Sequence, residues 1–580
     1  MAAPGRVSAY YCLATVIAVA SILHHQGAAE QSPSPGEVEA ALLLQMKRAW
    51  GDPTALAAWS AAASAAGAHC RWPHVRCNSA GRVTGLRLVS INVTGPVPEA
   101  VGGLSSLVHF DVSYNNITGS FPTALYRCRS LRFLNLSWNN IEGELPGDIG
   151  HRLGVNLSTL DLSCNGFNGS IPASLSRLRN LRYLDVSDNM MSGTFPMALY
   201  HCHSLRYLYL SSNQIGGELP DDVGHGLSTN LSKLDLNGNE FNGSISTSLS
   251  RLQNLRYLGL AFNGLTGTIP VELGDLTSLD TLWLSDNPFD TGELPTSFEN
   301  LTNLVSLQAG SCGLVGDFPS YVVKMAKLED LDLSYNFFTG SIPMGVWSLR
   351  NLQILSLGTN NLTGNLMVDG FAATSLTQIY LSENKLTGVI PEVFGRLENL
   401  TDLDLSNNRF TGTLPTELGM HSLSLTGVSV DGNNLTGAIP QGLCAGGQLA
   451  HLNASNNRLN GSIPVSLANC VGLQDLDLDN NRLSGGVPKA LWTVGQREIV
   501  KLRNNLLTGS LPAMMSSILE IIDIGDNQFV GRIPSVAVRL HDFVADNNQF
   551  SGEIPANLDL GMPQLARLNL ANNKLSGRIS

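Results

Sequence analysis

Cysteine is the residue type in this chain whose spacing could support covalent chemistry. Cys70 and Cys77 enclose the segment CRWPHVRC, and we predict a disulfide between them that clips an N-terminal cap. Whether Cys444 and Cys470 also pair stays open, because connectivity cannot be read from sequence alone. No C-x-x-C pair and no Cys/His cluster has the spacing of a zinc site, so we expect no metal and no cofactor.

The sequence carries no catalytic signature. It has no G-x-S-x-G elbow, no H-E-x-x-H pair and no phosphate-binding P-loop. Paired aspartates such as Asp330 and Asp332 recur with a fixed period, as solvated surface positions do. The net charge of -12 also argues against nucleic acid, which requires a basic stripe. We therefore expect this chain to act by recognition and not as an enzyme.

A repeated unit must position any recognition residues. The segment LEDLDLSYNFFTGSIP (328–343) gives the frame L-x-x-L-x-L-x-x-N-x-F/L-x-G-x-I-P, which recurs from Val83 to Ser580. We count 21 units, mostly 24 residues apart, which is the spacing of leucine-rich repeats. The predicted fold is a curved leucine-rich repeat solenoid, with a parallel β-sheet on the concave face and 3-10 turns and loops on the convex face.

The segment before the repeats differs in composition. Apolar residues at helical spacing follow Pro35, so we predict a short helical N-terminal cap over residues 30–82. Residues 1–29 read as a signal peptide, with Arg6 before an apolar stretch and small residues before Glu30. The predicted domains are thus 1–29, 30–82 and the array 83–580. The chain is expected to be secreted or to lie on the extracellular face of the plasma membrane.

Alternation along each strand tells which side chains face the concave surface. Aromatic residues collect at these outward positions in repeats five to nine, with arginines alongside. Aromatics are also common on ordinary strands, but the leucines already fill the core. We predict a concave ligand-binding face from the following residues: Tyr183, Tyr207, Tyr209, Tyr257, Trp283, Asp235, Arg206 and Arg256.

Thirteen N-x-S/T sequons support secretion and are candidate glycosylation sites. Two of them, at Asn135 and Asn453, fall on concave strands, where a glycan would obstruct the groove. We therefore expect the open ligand path to lie between repeats four and fifteen. The full set is Asn92, Asn116, Asn135, Asn156, Asn168, Asn230, Asn242, Asn300, Asn361, Asn399, Asn434, Asn453 and Asn460.

The T/S-G-x-I/L-P extension of nearly every unit resembles the extracellular regions of plant leucine-rich repeat receptor kinases. Three stretches, GLCAGGQLAHL (442–452), GGVPKALW (485–492) and VRLHDFVADNNQFSGEIP (538–555), are most similar to the HAESA-like peptide-hormone receptors. The resemblance implies a secreted peptide ligand on the inner face and a co-receptor kinase near the C-terminal repeats. It also implies a full-length relative that is a serine/threonine protein kinase.

Two features depart from that family. Its Arg-x-Arg pair, which clasps the peptide's terminal carboxylate, aligns here with Asp475 and Asp477, and two aspartates would repel a carboxylate. Lys501 and Arg503 lie nearby, but at other positions of their repeat. The chain also ends in an ordinary unit without a polar cap, so we expect an ectodomain truncated before its membrane span and kinase.

The sequence supports two functions and does not decide between them. The first is the ligand-recognition ectodomain of a receptor-like kinase or receptor-like protein that binds a secreted peptide in plant signalling. The second is a secreted inhibitor or immune decoy that binds a pathogen protein, as polygalacturonase-inhibiting proteins do with similar repeats.

Overall fold

A computed structural model describes residues 34–60 and 67–577, so the proposed signal peptide lies outside the described residues. One long sheet runs through the molecule. Its second to twenty-second strands are parallel and follow chain order, one for each of the 21 repeats, and the cap adds one antiparallel strand. The strands of this inner sheet are Val75–Cys77, Val83–Arg87, His109–Asp111, Phe133–Asn135, Thr159–Asp161, Tyr183–Asp185, Tyr207–Tyr209, Lys233–Asp235, Tyr257–Gly259, Thr281–Trp283, Ser306–Gln308, Asp330–Asp332, Ile354–Ser356, Gln378–Tyr380, Asp402–Asp404, Gly427–Ser429, His451–Asn453, Asp475–Asp477, Ile499–Lys501, Ile521–Asp523, Asp542–Val544 and Arg567–Asn569.

A second set of strands follows the asparagine of most repeats, which the sequence reasoning did not anticipate. These strands form ladders of eight, two and six members beside the inner sheet. The first eight are Thr94–Gly95, Asn116–Gly119, Asn140–Glu144, Gly166–Ser170, Met190–Thr194, Gln214–Glu218, Glu240–Ser244 and Gly264–Thr266. The others are Thr387–Val389 and Arg409–Thr411, then Asn460–Gly461, Arg482–Gly486, Leu506–Gly509, Gln528–Gly531, Gln549–Gly552 and Lys574–Leu575.

Short helices close most of the repeats on the side opposite the inner sheet, and turns close the others. In the unit 328–343, Gly340 turns with φ 76° and Pro343 precedes a 3-10 helix. The 3-10 helices are Thr54–Leu56, Ala68–Arg71, Glu99–Gly103, Thr123–Arg127, Ala173–Arg177, Met197–His201, Thr247–Arg251, Val271–Asp275, Thr296–Asn300, Ser320–Lys324, Met344–Ser348 and Glu392–Arg396. The α-helices are Pro35–Ala49 in the cap and the single turns Ile149–Arg152, Val223–Gly226, Val465–Ala468, Ala490–Thr493 and Leu558–Gly561.

The cap helix begins at a capping box, in which the Ser34 N–H donates to Glu37 Oε2 at 2.7 Å. It covers the first core edge of the array with Leu43 and Met46, both fully buried. Glu39 is only 1% exposed and accepts hydrogen bonds from the Val83 N–H (2.6 Å) and Arg82 Nε (2.7 Å). This carboxylate therefore fastens the cap helix to the first repeat strand.

The repeat asparagines form a ladder through the core, interrupted where Cys312 takes the asparagine position. Asn336 Nδ2 donates to the carbonyls of Leu333 (3.1 Å) and Ser334 (3.0 Å) in its own repeat and of Ala309 (2.8 Å) in the preceding one. Its Oδ1 accepts from the backbone N–H groups of residues 312 (3.1 Å) and 314 (2.9 Å). One amide thus satisfies five backbone groups that burial would otherwise leave unpaired. We call this arrangement the asparagine ladder.

The structure joins Cys70 to Cys77 and also Cys444 to Cys470. Cys312 takes an asparagine position, and its thiol contacts the carbonyls of Leu284 and Gly310, both at 3.3 Å. Within the described part of the chain, no helix has both the length and the apolar character to cross a membrane.

We predict that Asn336→Ala lowers the free energy of unfolding by about 3 kcal/mol, because five buried backbone groups lose their partner. Urea denaturation followed by circular dichroism would measure the change. The control is Asn469→Ala, since Asn469 is exposed and caps a helix only through its backbone. Equal stability of the two variants would contradict a stabilising role for the ladder.

Candidate ligand-binding site

The aromatic ridge, Tyr183, Tyr207, Tyr209, Tyr257 and Trp283, lies on the first and third residues of inner-sheet strands. The middle residue of each strand is a fully buried leucine, such as Leu184 or Leu208. Because side chains alternate along a strand, the aromatic residues on either side face the concave surface, where they are half-buried.

The ridge divides into two groups of packed rings. Tyr183 lies 5.6 Å from Tyr209 and 6.1 Å from Tyr207, measured between ring centroids. Tyr257 and Trp283 pack edge to face at 5.3 Å. Repeat seven separates the groups with Lys233, whose ammonium lies 5.5 Å from the Tyr257 ring centroid, within the range of a cation–π contact.

Hydrogen bonds within the protein hold three of the ridge side chains. Tyr183 Oη donates to Asp185 Oδ2 at 2.9 Å, and Asn237 Nδ2 donates to Tyr257 Oη at 3.0 Å. Trp283 Nε1 donates to Ser306 Oγ at 2.9 Å. These partners were not predicted from the sequence, although all lie at concave positions of the repeat. The contacts occupy the polar tips of Tyr183, Tyr257 and Trp283 and fix the orientation of their rings.

Acidic groups lie between the rings. Asp235 stands opposite Tyr209 in the strand register, and burial raises the pKa of its carboxyl. Burial also raises the pKa of Asp161 to about 6, with further repulsion from Asp185 on the next strand. Burial raises the pKa of Tyr209 to about 12, so its hydroxyl stays protonated at neutral pH.

Gly259 leaves a gap in the row of concave side chains. It stands between Asp235 and Trp283 in the strand register. A Cβ atom there would lie 2.5 Å from Asn237 Nδ2 and 2.8 Å from Asp235 Oδ1, so the position does not accept a side chain without rearrangement. The Asn237 and Asp235 side chains therefore fill the space that a side chain at position 259 would take, next to Trp283 in the strand register.

The predicted arginines lie at the rim of this surface. Arg206 and Arg256 each directly precede a ridge strand and are exposed. Within residues 67–577, neither guanidinium forms an ion pair. They remain predictions for contacts with a ligand's carbonyl or carboxylate groups.

The C-terminal repeats hold their charges in internal pairs. Asp475 Oδ2 lies 2.8 Å from His451 Nδ1, and Asp477 Oδ2 lies 3.4 Å from Lys501 Nζ. Arg503 Nε lies 3.1 Å from both oxygens of Asp523, and its other nitrogens bind Asp526 and Asp546. Arg503 is therefore committed to carboxylates of its own protein and does not replace the missing Arg-x-Arg pair.

The two concave sequons take part in a recurring turn. Asn135 Oδ1 accepts from the Ser137 N–H (2.9 Å) and hydroxyl (2.7 Å), and Asn453 does the same with Ser455. Asp332 and Ser334 make the same contacts in their repeat. Occupancy of the thirteen sequons stays a prediction.

Family models match most parts of the repeat array. The description "Leucine-rich repeat region" covers residues 228–367, and "Leucine rich repeat" covers 82–141, 155–215 and 365–415. Further leucine-rich repeat matches fall at 448–470 and 472–494, and "Leucine rich repeat N-terminal domain" covers 37–78.

Solved structures of the Arabidopsis thaliana receptor kinase HAESA are similar over nearly the whole chain. The HAESA ectodomain in complex with an N-terminally extended IDA peptide hormone is 31% identical with a TM-score of 0.80, and the match covers 93% of this chain and 94% of that one. HAESA with the peptide hormone IDA and the co-receptor SERK1 is 28% identical with a TM-score of 0.81 and the same coverage.

A curated relative of another kind also matches. Polygalacturonase inhibitor 1 of Oryza sativa subsp. japonica is 35% identical over 102 residues, which is 17% of this chain and 29% of the inhibitor. The matches to curated relatives span at most 29% of those proteins' own length.

The stacked strands, the asparagine ladder and these models define a leucine-rich repeat solenoid with an N-terminal cap domain. The chain is 31% identical to the HAESA ectodomain over nearly the full length of both chains. The chain belongs to the leucine-rich repeat ectodomains of plant receptor kinases.

We predict that Asp479→Asn flattens the pH dependence of stability between about pH 4 and pH 7. Burial, with repulsion from Asp477, raises the pKa of Asp479 to about 7. Because the folded protein then binds this proton more tightly than the unfolded chain, the group stabilises the fold at low pH, and that contribution is lost as pH rises to about 7.

Since Asp479 is partly exposed, we expect a gain of only about 1 kcal/mol for Asp479→Asn at pH 7.5. Thermal unfolding across the pH range would measure it, with Asp290→Asn at an exposed site as the charge-matched control. A slope as steep as that of the unmodified protein would show that Asp479 is ionised throughout.

Proposed function

We propose that this chain is the extracellular ligand-recognition domain of a receptor-like kinase or receptor-like protein, and that it binds a secreted peptide along its concave face. The observation that carries the proposal is the aromatic ridge, in which five half-buried rings on neighbouring strands face the concave surface. Tyrosine and tryptophan held in fixed orientation supply large contact area at little entropic cost.

The chemistry of the ridge favours a peptide with apolar side chains at its centre. The half-buried rings of Tyr209 and Trp283 face the concave surface, with Asp235 and Gly259 between them in the strand register. Backbone carbonyls of the peptide would be within reach of Arg206 and Arg256 at the rim. The structural relative HAESA binds a peptide hormone, which supports the same class of ligand here.

Further parts of the proposal extend to the whole protein. By analogy with the complex of HAESA with SERK1, a co-receptor kinase would dock near the C-terminal repeats of the full-length form. We further propose that residues 1–29 direct secretion, that 30–82 cap the array and that 83–580 form it. This places the chain at the extracellular face of the plasma membrane or in the secreted fraction.

The alternative function is a secreted inhibitor or immune decoy directed at a pathogen protein. The match to the rice polygalacturonase inhibitor favours it, although over only 102 residues. Inhibition of a purified fungal polygalacturonase by this chain would support that alternative, and the aromatic ridge would then be tested as the enzyme-binding surface.

We predict that Tyr209→Ala and Trp283→Ala each weaken binding of the peptide ligand about tenfold or more, because each removes an aromatic anchor. The measurement is titration calorimetry with peptides recovered from a synthetic library of secreted plant peptides. Phe337→Ala serves as the control, since Phe337 is equally aromatic and 57% exposed but follows the repeat asparagine.

Unchanged affinity in the combined Tyr209→Ala, Trp283→Ala variant would exclude the ridge as the binding surface. A parallel loss in the Phe337→Ala control would point instead to a general effect on the fold.

A further inference from the structure

A cavity of 170 Å³ opens on the concave face at the first repeats, before the aromatic ridge begins. It is lined by Arg76, Gly85, Arg87, His109, Asp111 and Phe133. None of these residues belongs to the surface described above. The cavity exists because the cap contributes one extra strand to the inner sheet.

The strand register explains the shape of the cavity. The cap strand Val75–Cys77 runs antiparallel to the first repeat strand and places Arg76 opposite Gly85. Gly85 in turn stands opposite His109, and a Cβ at Gly85 would lie 3.4 Å from Arg76 Cβ and 3.8 Å from His109 Cβ. The missing side chain at Gly85 therefore forms the floor of the cavity.

An aromatic wall closes the other side. His109 and Phe133 stand opposite each other on neighbouring strands, and their rings stack with centroids 4.1 Å apart and planes at 12°. A ligand group entering the cavity would thus meet two guanidinium groups on one side and a flat apolar surface on the other.

The cavity carries net positive charge. Arg87 Nε lies 3.9 Å from Asp111 Oδ2, while the Arg87 side chain stays 67% exposed. Asp111 Oδ1 accepts the hydroxyl and N–H of Ser113, so this carboxylate is largely occupied by its own strand. Arg76 forms no ion pair within the described residues. Burial, with the charges of Arg76 and Arg87, lowers the pKa of His109, whereas Asp111 raises it. The positive charge therefore resides on the arginines.

Further along the groove, before the last four repeats, the charge is reversed. From Thr281–Trp283 to Asp475–Asp477, the inner-sheet strands contain no lysine or arginine. The same strands carry Asp330, Asp332, Asp402, Asp404, Asp475 and Asp477. The charge of the concave face therefore changes along its length. It is basic at the cap and acidic from repeat eleven to repeat seventeen.

Resting on the function proposed above, we propose that the Arg76–Arg87 cavity binds a carboxylate of the peptide ligand, so that an acidic end of the peptide lies against repeats one to three and a basic portion lies over repeats eleven to seventeen. Guanidinium groups match carboxylates in geometry and charge. Opposite charges at the two ends of the groove would fix the direction of the peptide.

The length of the groove sets a minimum length for the ligand. Nine strand steps separate His109–Asp111 from Asp330–Asp332. At about 4.8 Å for each step this is roughly 43 Å, which an extended peptide spans with about 13 residues. A shorter peptide could occupy only one of the two charged ends together with the ridge.

The proposal also requires that Asn135 carries no glycan. This residue stands opposite Asp111 in the strand register, so a glycan there would cover the cavity. The proposal extends the ligand path beyond repeat four and therefore requires Asn135 to be unmodified in the protein that binds ligand. Peptide mass spectrometry after digestion decides this point, and full glycan occupancy of Asn135 in binding-competent protein would overturn the proposal.

The main test selects ligands from a phage-displayed library of random peptides of about 16 residues, long enough to span both charged ends. On the unmodified protein we expect enriched peptides to carry acidic residues in one terminal third and basic residues in the other. On the Arg76→Glu, Arg87→Glu double variant, the acidic enrichment should disappear while apolar residues at the centre persist. Arg177→Glu, an exposed arginine on a 3-10 helix away from the inner sheet, is the matched control and should keep the full pattern.

Synthetic copies of an enriched peptide then allow a double-mutant cycle. The cycle measures the interaction energy between the cavity arginines and the acidic residues of the peptide. The double variant should bind the acidic peptide about tenfold more weakly but bind its glutamine-substituted copy as the unmodified protein does. Gly85→Val, which fills the cavity without changing charge, should weaken the acidic peptide to a similar extent. Equal loss for the acidic and the glutamine peptides, or no loss for either, would overturn the proposal.

These outcomes separate this inference from the proposed function. If Tyr209→Ala, Trp283→Ala abolishes recovery of peptides while the arginine variant leaves the acidic preference intact, the cavity assignment fails and the peptide-binding function stands. If neither variant changes the selected peptides, the cavity assignment fails and the aromatic ridge is also excluded as the binding surface.

Discussion

The asparagine ladder is the interaction on which the rest of the structure depends. Each repeat turns its backbone inward after the strand and would leave carbonyl and N–H groups buried without partners. Asn336 satisfies five such groups, two of them in its own repeat and three in the preceding one. Other repeat asparagines, such as Asn139 and Asn573, make four of these contacts, because their Oδ1 accepts from one backbone N–H instead of two. Adjacent repeats are therefore fixed to one another by hydrogen bonds as well as by leucine packing.

Because buried residues hold the repeats together, the outward positions of the strands are available for recognition. Buried leucines and the ladder stabilise the stack, so the first and third residues of each strand are not needed for folding and can vary. The ridge uses these positions, and neighbouring polar groups such as Asp185, Asn237 and Ser306 orient its side chains. A ligand would meet rings whose conformations are already set, which lowers the entropic cost of binding.

Features that recur in every repeat can be predicted from the sequence. Features that depend on one contact between distant residues cannot. The number of repeats and the inner sheet follow from periodic spacing, and the Cys70–Cys77 bond from the two cysteines of the cap; the structure contains each of them. The second set of strands was missed because its residues, such as Asn140–Glu144, alternate too weakly to read as a strand. The ion pairs of Arg503 with three aspartates could not be predicted either. Those aspartates belong to the next two repeats, and the spacing of the repeats does not give the rotation between them. The separation of the ridge into two groups by Lys233, and the hydrogen bond from the Val83 N–H to Glu39, also depend on packing between residues that are distant in the sequence. They could not be predicted for the same reason.

The acidic residues of the concave face are costly for the fold, which is an argument for their use in binding. Asp161 and Asp185 stand directly opposite each other on neighbouring strands, where like charges destabilise a sheet. Burial raises the pKa of Asp161 to about 6, which shows that its ionised form is poorly accommodated. Asparagine makes the same hydrogen bonds with the following serine at Asn135 and Asn453 without the charge. The turn itself therefore does not require aspartate. These aspartates are more readily explained by a basic or hydrogen-bond-donating partner than by the needs of folding.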